Sequence, residues 1–464
     1  MIDSDEIFER HEGEFSKARE LLSELIALQD LQAVFDEEGA INSRRVYTQS
    51  ATIWLLILQR LGGGLSLNAA VLQLIKHHSD ILPRNRRVEE GTLSGNSSAY
   101  NNSRQALPME VVEAFSHSVC DHLASRSETV WDGRRVFIID GTTVTLPPTP
   151  ELKKAFPPAT NQHGESVWPV AMLMVASELS TGCVLVPQID AMYGENNSSE
   201  AQQARKVIDQ LPDNTIVLAD SGFGIFSVAH HCQNAVKEFV FRLTASRGRS
   251  LLKSARLVEE EEGYRTSYLT WHPSAKERKN NPHLPLDASI KVFVHEIELA
   301  GGQTLYLVSN VEADAASVGE LYLRRYDIEF DIRDLKVTMD TENIQAKKLD
   351  TVKKELMGSI IAYNMVSQLR RQASKLAGVK PRRLSFTGVW LTFQHHLLYQ
   401  VFKTRQEWTL AYKGALVSAA ASKHPNRKKP RSYPRVAHTR RQKSTKFQKS
   451  LRKKKSSNEQ PPPD

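Results

Sequence analysis

The sequence predicts an α/β protein in which a helical N-terminal region precedes a strand-rich middle, a long helix and a basic tail. Three observations carry this expectation. Apolar residues recur at spacings of three and four up to about residue 128. Near Trp131 the texture changes to short runs rich in Val and Ile, in the order β-β-β-α-β. From Val318 helical spacing returns, and after Lys423 the composition shifts to Pro, Ser and Lys. A chain of 464 residues exceeds a single ordinary core. The expected divisions are 1–128, helical; 129–245 with 308–375, a split central core; 246–307, an inserted set of strands; 376–422, helical; and 423–464, a tail.

Composition narrows the class. With 40% hydrophobic and 25% charged residues the chain reads as globular, not fibrous or wholly disordered. Cys120, Cys183 and Cys232 follow no zinc or redox spacing, which suggests buried thiols in a reducing compartment. MIDSDEIFER is acidic and polar, unlike a signal peptide, and SATIWLLILQRLGGG is too short to span a bilayer. The expectation is a cytoplasmic protein without a membrane partner.

Net charge is +8, but it is unevenly placed. Lys423 to Asp464 holds 15 Lys/Arg and two acids, a charge of +13; the other residues hold 46 Lys/Arg and 51 Asp/Glu, a charge of −5. Such a tail buries too little apolar surface to fold alone and suits a polyanion through counterion release, although a solubilising role has the same composition.

Taken in order, LLSELIALQDLQAVFDEEG and SATIWLLILQRLGGGLSLNAAVLQLIKHH read as helices broken by Gly turns. A further helix is expected after Pro108. These helices fit either a helix-turn-helix-like DNA-binding head or a scaffold bundle. RRVFIIDG reads as a strand that stops at Asp140 and Gly141. WPVAMLMVASEL and GCVLVPQIDAMYG read as an antiparallel pair, SSEAQQARKVIDQLP as a Ser-capped helix, and TIVLAD as a buried strand ending at Asp220. KEFVFRLTASR is another strand. Between 246 and 309, TSYLTWHP, SIKVFVHEIEL and TLYLVSN read as a small antiparallel subdomain, with Glu259–Glu262 as a solvated turn. Trp271 there is a packing residue or a platform for an extruded base. Downstream, the stripe Val352, Leu356, Ile360, Val366, Leu369 packs a long helix on the sheet.

The chemistry concentrates in VGELYLRRYDIEFDIRDLK, Val318 to Lys336. Tyr322, Arg325, Glu329 and Lys336 lie 3, 4 and 7 residues apart. At about 100° per residue they share a helical sector roughly 60° wide, beside the apolar stripe Leu321, Ile328, Ile332, Leu335. Alone, Arg325 and Glu329 are also what an ordinary i,i+4 surface pair looks like. Asp140 and Asp220 are likewise ordinary turn residues when taken singly. Together, two carboxylates at strand ends and a third on a helix with Arg and Lys make three oxygen ligands for Mg²⁺ or Mn²⁺. Such ions activate a nucleophile and stabilise the leaving oxygen at phosphorus.

The YLRRYDIEFDIRDLK run resembles the tyrosine-x2-arginine-x3-glutamate-x6-lysine signature of bacterial cut-and-paste DDE transposases of the insertion-sequence-four type. IIDGTTVTLPPTPE and VLADSGFG resemble the segments that carry that family's two aspartates, and the 109 residues between Asp220 and Glu329 leave room for its β-rich insertion. The resemblance covers roughly residues 95–370. It implies a ribonuclease H-like (retroviral-integrase-like) core in which Asp140, Asp220 and Glu329 are catalytic and bind the metal. It also implies that Tyr322, Arg325 and Lys336 hold DNA phosphates. By the same resemblance the activity is metal-dependent cleavage at terminal inverted repeats followed by strand transfer, with Mg²⁺ or Mn²⁺ as cofactor. A homodimer in a synaptic complex with transposon-end and target DNA, associated with the bacterial nucleoid, belongs to that picture. Two alternatives share the motifs: a metal-dependent nuclease that does not transpose, and a catalytically silent, transposase-derived repressor.

Overall fold

The computed structural model describes residues 46–425, apart from 80–81, 83–85, 126, 162–163, 196, 300 and 402–404. The helix expected within 21–39 and nearly all of the basic tail lie outside the described residues. The first described elements are α1 (Gln49–Leu61), α2 (Leu67–His77), α3 (Ser98–Ala106) and α4 (Met109–Ser125), with a short helical turn at Arg86–Glu89. Thr48 and Ser66 cap α1 and α2 by accepting from the amides of Ala51 and Ala69. Gly63 and Gly64 take left-handed φ values of 82° and 76°, which is how GGG stops α1 and turns the chain.

The centre begins with β1 (Arg135–Thr145), α5 (Pro150–Ala155), β2 (Pro158–Asn161), β3 (Gly164–Glu178) and β4 (Gln188–Ala191). It continues through α6 (Glu200–Ile208), β5 (Thr215–Ala219), α7 (Phe226–Asn234), β6 (Glu238–Leu243) and α8 (Ala245–Leu252). Ser199 caps α6 in a reciprocal capping box with Gln202, so the Ser at the start of that run does what its chemistry suggests. Next come β7 (Arg256–Glu261), β8 (Tyr264–Trp271), α9 (Ala275–Asn280), β9 (Ile290–Leu299) and β10 (Gln303–Ser309).

All ten strands belong to one sheet, ordered β2-β3-β1-β5-β6-β10-β9-β8-β7, with β4 also paired to β3. β3 runs antiparallel to β1 and β4, whereas β5 and β6 run parallel to β1. The strands of 246–309 are antiparallel, as their alternation suggests, but they extend this same sheet because β10 pairs with β6 from Tyr306↔Leu243 to Ser309↔Val240. Glu259, Glu260 and Glu261 are not a turn: they form the exposed edge strand β7, whose charges discourage further strand addition.

The last part holds α10 (Ala315–Leu323), a 3₁₀ turn at Arg324–Tyr326, α11 (Asp327–Arg333) and a π turn at Asp334–Thr338. Then follow α12 (Leu349–Leu376), α13 (Phe386–Phe393) and α14 (Arg405–Ala421). α12 is buried nearly all round. Asn364 on it pairs with both backbone groups of Val184, through bonds of 2.9 and 2.8 Å, which docks the helix on the strand margin. On its other side Gly358 lets Leu56 approach: an added Cβ would lie 3.1 Å from the Leu56 Cβ and 3.2 Å from its backbone carbonyl. Buried Arg60 of α1 ion-pairs with Glu355 of α12 and donates to the carbonyl of Asp340 at 2.6 Å. The helices of 49–125 thus share one hydrophobic core with the sheet and α12. Cys120, Cys183 and Cys232 are buried free thiols, and burial pushes all three pKa values up. Among the described residues, no helix is long and apolar enough to cross a membrane.

Candidate active site

Strand register places the two aspartates. β1 and β5 run parallel with Ile138 opposite Leu218. Two residues further on, Asp140 and Asp220 return to the same face, since side chains alternate with a period of two. Ile138 and Leu218 are packed in one buried cluster with Val318, Leu321, Tyr322 and Ile328. The face that carries both aspartates is therefore the face covered by the signature helices.

Asp140 does not end its strand. β1 continues to Thr145, with Asp140 opposite Val175 and Gly141 opposite Met174. The Asp-Gly pair looks like a turn in sequence, but β3 is long enough to pair beyond it, and ladder hydrogen bonds outweigh local turn preference. Gly141 has a packing reason instead: a Cβ there would lie 3.0 Å from the Glu200 carboxylate. Asp220 directly follows the end of β5 and accepts from the Gly222 amide at 2.8 Å. Gly224 in that turn sits against the Arg242 carbonyl, where a Cβ would come within 2.0 Å.

The signature run is helical throughout but not uniform, because a 3₁₀ turn tightens it at Arg324–Tyr326 and a π turn widens it at Asp334–Thr338. Tyr322 and Arg325 are buried, at 6% and 9% exposure. Arg325 donates to Glu329 at 2.8 Å, its other terminal nitrogen stands 3.8 Å from Asp140 Oδ2, and its guanidinium lies 4.5 Å from the Tyr326 ring centroid. The i,i+4 pair thus exists, but its cation is buried and reaches the strand carboxylate. Lys336 Nζ donates to the Thr143 carbonyl at 2.7 Å and to Thr142 Oγ1 at 3.3 Å, just past Asp140 on β1. The structure brings Asp140, Asp220 and Tyr322 to one face, connects Glu329 to it through Arg325, and pins Lys336 to its rim.

Burial pushes the Asp140 carboxyl up to about 6. The amide of Gly141 opposes that shift, the charge of Asp220 adds to it, Arg325 opposes and Glu200 adds. For Tyr322, burial raises the phenol so that it stays neutral at physiological pH, against the pull of Arg325 and Arg242. For Arg325, burial disfavours the charge, but the Glu329 bond and nearby anions raise its pKa overall.

Among the described residues no three His, Cys, Asp or Glu side chains stand close enough together to hold a metal ion as placed. Glu329 is instead turned onto Arg325. The donor chemistry nonetheless fits a hard divalent cation: carboxylate oxygens only, two on neighbouring strands, and an Asp140 carboxyl that gains by a positive charge beside it.

Some neighbours of the site have weak sequence signals. Glu200, the first residue after the Ser199 cap, faces Gly141, and Arg242 of β6 interacts with Tyr322. Neither lies in a recognisable motif; the resemblance suggests both as neighbours of the pocket, and sheet order puts them there. Trp271 resolves the other way. It is 4% exposed and meets Phe226 edge-on at 5.7 Å, so it packs the core and offers no surface to a base.

Strand register, carboxylates and signature helix together describe a phosphoryl-transfer enzyme of the DDE class, and similarity to known proteins agrees. Residues 131–365, about half the chain, match the family model of the transposase DDE domain. The chain belongs to that family. One relative is the transposase InsG for insertion sequence element IS4 of Escherichia coli (strain K12), 26% identical over 365 residues, which are 76% of this chain and 76% of the relative.

Proposed function

We propose that this insertion-sequence transposase binds the terminal inverted repeats of its element, cuts the DNA there in a metal-dependent reaction and joins the ends to target DNA. Asp140, Asp220 and Glu329 are the residues that would hold the metal. The observation that carries this reading is the parallel β1–β5 register, which sets Asp140 and Asp220 on one face beneath the buried Arg325. The central order β4-β3-β1-β5-β6, antiparallel on one side of β1 and parallel on the other, supports a ribonuclease H-like core. A divalent ion, Mg²⁺ or Mn²⁺, would supply an activated nucleophile and charge stabilisation at phosphorus.

The chain's own residues supply the rest. Arg325, rigidly held and always charged, grips a phosphate with two bonds once Glu329 leaves it. Lys336 adds a point charge at the end of β1. Tyr322 remains a neutral hydrogen-bonding group beside Asp220. A homodimer holding two transposon ends completes the proposal.

The test incubates the full chain and Asp140→Ala with labelled linear DNA carrying the repeats, supercoiled target and Mg²⁺. End cleavage with joining, absent in Asp140→Ala, is the expected result. Cleavage that never leads to joining would make the protein a nuclease. Repeat binding without cleavage, equal in both proteins, would make it a repressor.

A further inference from the structure

Among the helices that precede the sheet, α3 has an outer face unlike an ordinary solvated one. Its inner side is held firmly. Tyr100 is fully buried and donates to Gln59 Oε1 at 2.8 Å, Arg104 is buried, and the Ser103 hydroxyl donates to the Tyr47 carbonyl at 3.1 Å. Ser98, Ala99, Asn102, Gln105 and Ala106 are exposed. At about 100° per residue they fill one sector roughly 120° wide. Helix faces turned to water ordinarily carry Lys, Glu or Asp. This face carries no charge, only two amides among small side chains.

Two features of placement give the face a partner. Cations flank it: a cleft of about 610 Å³ along α3 is lined by Ser98, Ala99 and Asn102 and by exposed Arg87. Towards the other end of α3, exposed Lys348 donates to Gln105 Oε1 at 2.9 Å, which orients that amide and leaves its nitrogen to donate. The same segment joins α3 to the strand of Asp140. Thr149, four residues beyond the end of β1, donates to the Lys347 carbonyl at 3.0 Å, and the Leu349 amide donates to Glu151 at 2.9 Å.

An uncharged face of amides and small groups between cations has the chemistry of a groove reader. The major groove of a duplex, about 12 Å wide, admits a helix about 10–12 Å across. Within it an Asn or Gln amide pairs with N6 and N7 of adenine, and an Ala side chain meets the thymine methyl. Arg87 and Lys348 suit the phosphates on either side. A second protein fits less well, since protein interfaces favour aromatic residues and are poor in Ser and Ala.

We propose that the outer face of α3 enters the major groove of the terminal repeat, with Asn102 and Gln105 as the side chains that distinguish its bases. The inference rests on the repeat-binding activity proposed above and names the surface that performs it.

The experiment compares the full chain with Asn102→Ala and Gln105→Ala by fluorescence anisotropy on a repeat-bearing and a scrambled labelled duplex. Each variant is expected to bind the repeat about ten-fold more weakly and the scrambled duplex within about two-fold of the unmodified chain. The slope of log affinity against log salt should not change, because no phosphate contact is removed. Repeats with single base pairs replaced sharpen the test. Asn102→Ala should be indifferent to replacement at one or two adjacent positions to which the unmodified chain is sensitive, a pattern that a damaged fold does not produce. A loss equal on both duplexes and at all positions overturns the proposal. So does a variant that prefers the repeat as strongly as the unmodified chain, which would leave the face to the chain's own N-terminal residues or to a second copy, with repeat binding intact. An unmodified chain that binds both duplexes alike sinks repeat recognition itself, and the proposal with it.

Discussion

Glu329 and Asp331 stand two residues apart on one helical run, and the protein treats them in opposite ways. Asp331 is fully buried, accepts from Ser177 at 2.6 Å and from Arg382 at 2.5 Å, and has Arg370 at 3.8 Å. The Glu329 side chain is 47% exposed and has one bond, from Arg325. Asp331 is a structural carboxylate: every oxygen is engaged by a partner that does not leave, which is what burial of a charge requires. Glu329 keeps acceptor capacity free and is linked to Asp140 through Arg325. The contrast separates a group that holds the fold from one that we propose binds the metal, although the local sequence, DIEFDIRD, offers Asp327, Glu329, Asp331 and Asp334 as near equals.

The comparison breaks most visibly in activity. Glu329→Gln is expected to lower end cleavage by on the order of 10³-fold or more, the scale of losing one electrostatic element of a phosphoryl-transfer site. Its stability should stay within about 0.5 kcal/mol of the unmodified protein, since the pair is partly exposed. Cleavage rates and denaturant melts on one preparation check both, and a large loss of stability would place Glu329 with Asp331.

Arg382→Ala tests the other side. It leaves Asp331 buried with its strongest partner gone, which costs about 3–5 kcal/mol. A urea midpoint close to that of the unmodified chain would show that Arg370 alone satisfies the aspartate.

The third test sharpens the picture through pH. The folded-state pKa of Asp140 is raised to about 6 from an ordinary 3.8. Its contribution to stability is therefore fully present below about pH 4 and is lost as pH rises through 6. Without divalent metal, the stability difference between Asp140→Asn and the unmodified chain should grow in favour of the variant from pH 4 to 7, to at most about 3 kcal/mol. Added Mg²⁺ should narrow that difference at pH 7. A pH-independent difference would mean that Asp140 is not buried beside its acidic neighbours.

Much of this was legible in one dimension. The alternation and β-branched content of the central runs located the strands, and Ser199 announced α6 through its cap. Spacing picked out Tyr322, Arg325, Glu329 and Lys336 because a helix repeats every 3.6 residues. Composition could not do as well where pairing partners decide. Asp140-Gly141 reads as a turn but continues as strand, and Glu259–Glu261 reads as a loop but pairs with β8.

By itself, then, the sequence determined which residue types sit on which local element, because helix and strand periods, caps and turn chemistry act between near neighbours. Tertiary structure alone decided which carboxylates meet. Strand order set Asp140 beside Asp220, 80 residues away, and brought Glu200 behind Gly141. It also decided that Trp271 is core and that Asp331 and Glu329 differ, since burial and partner choice depend on residues up to 154 positions distant.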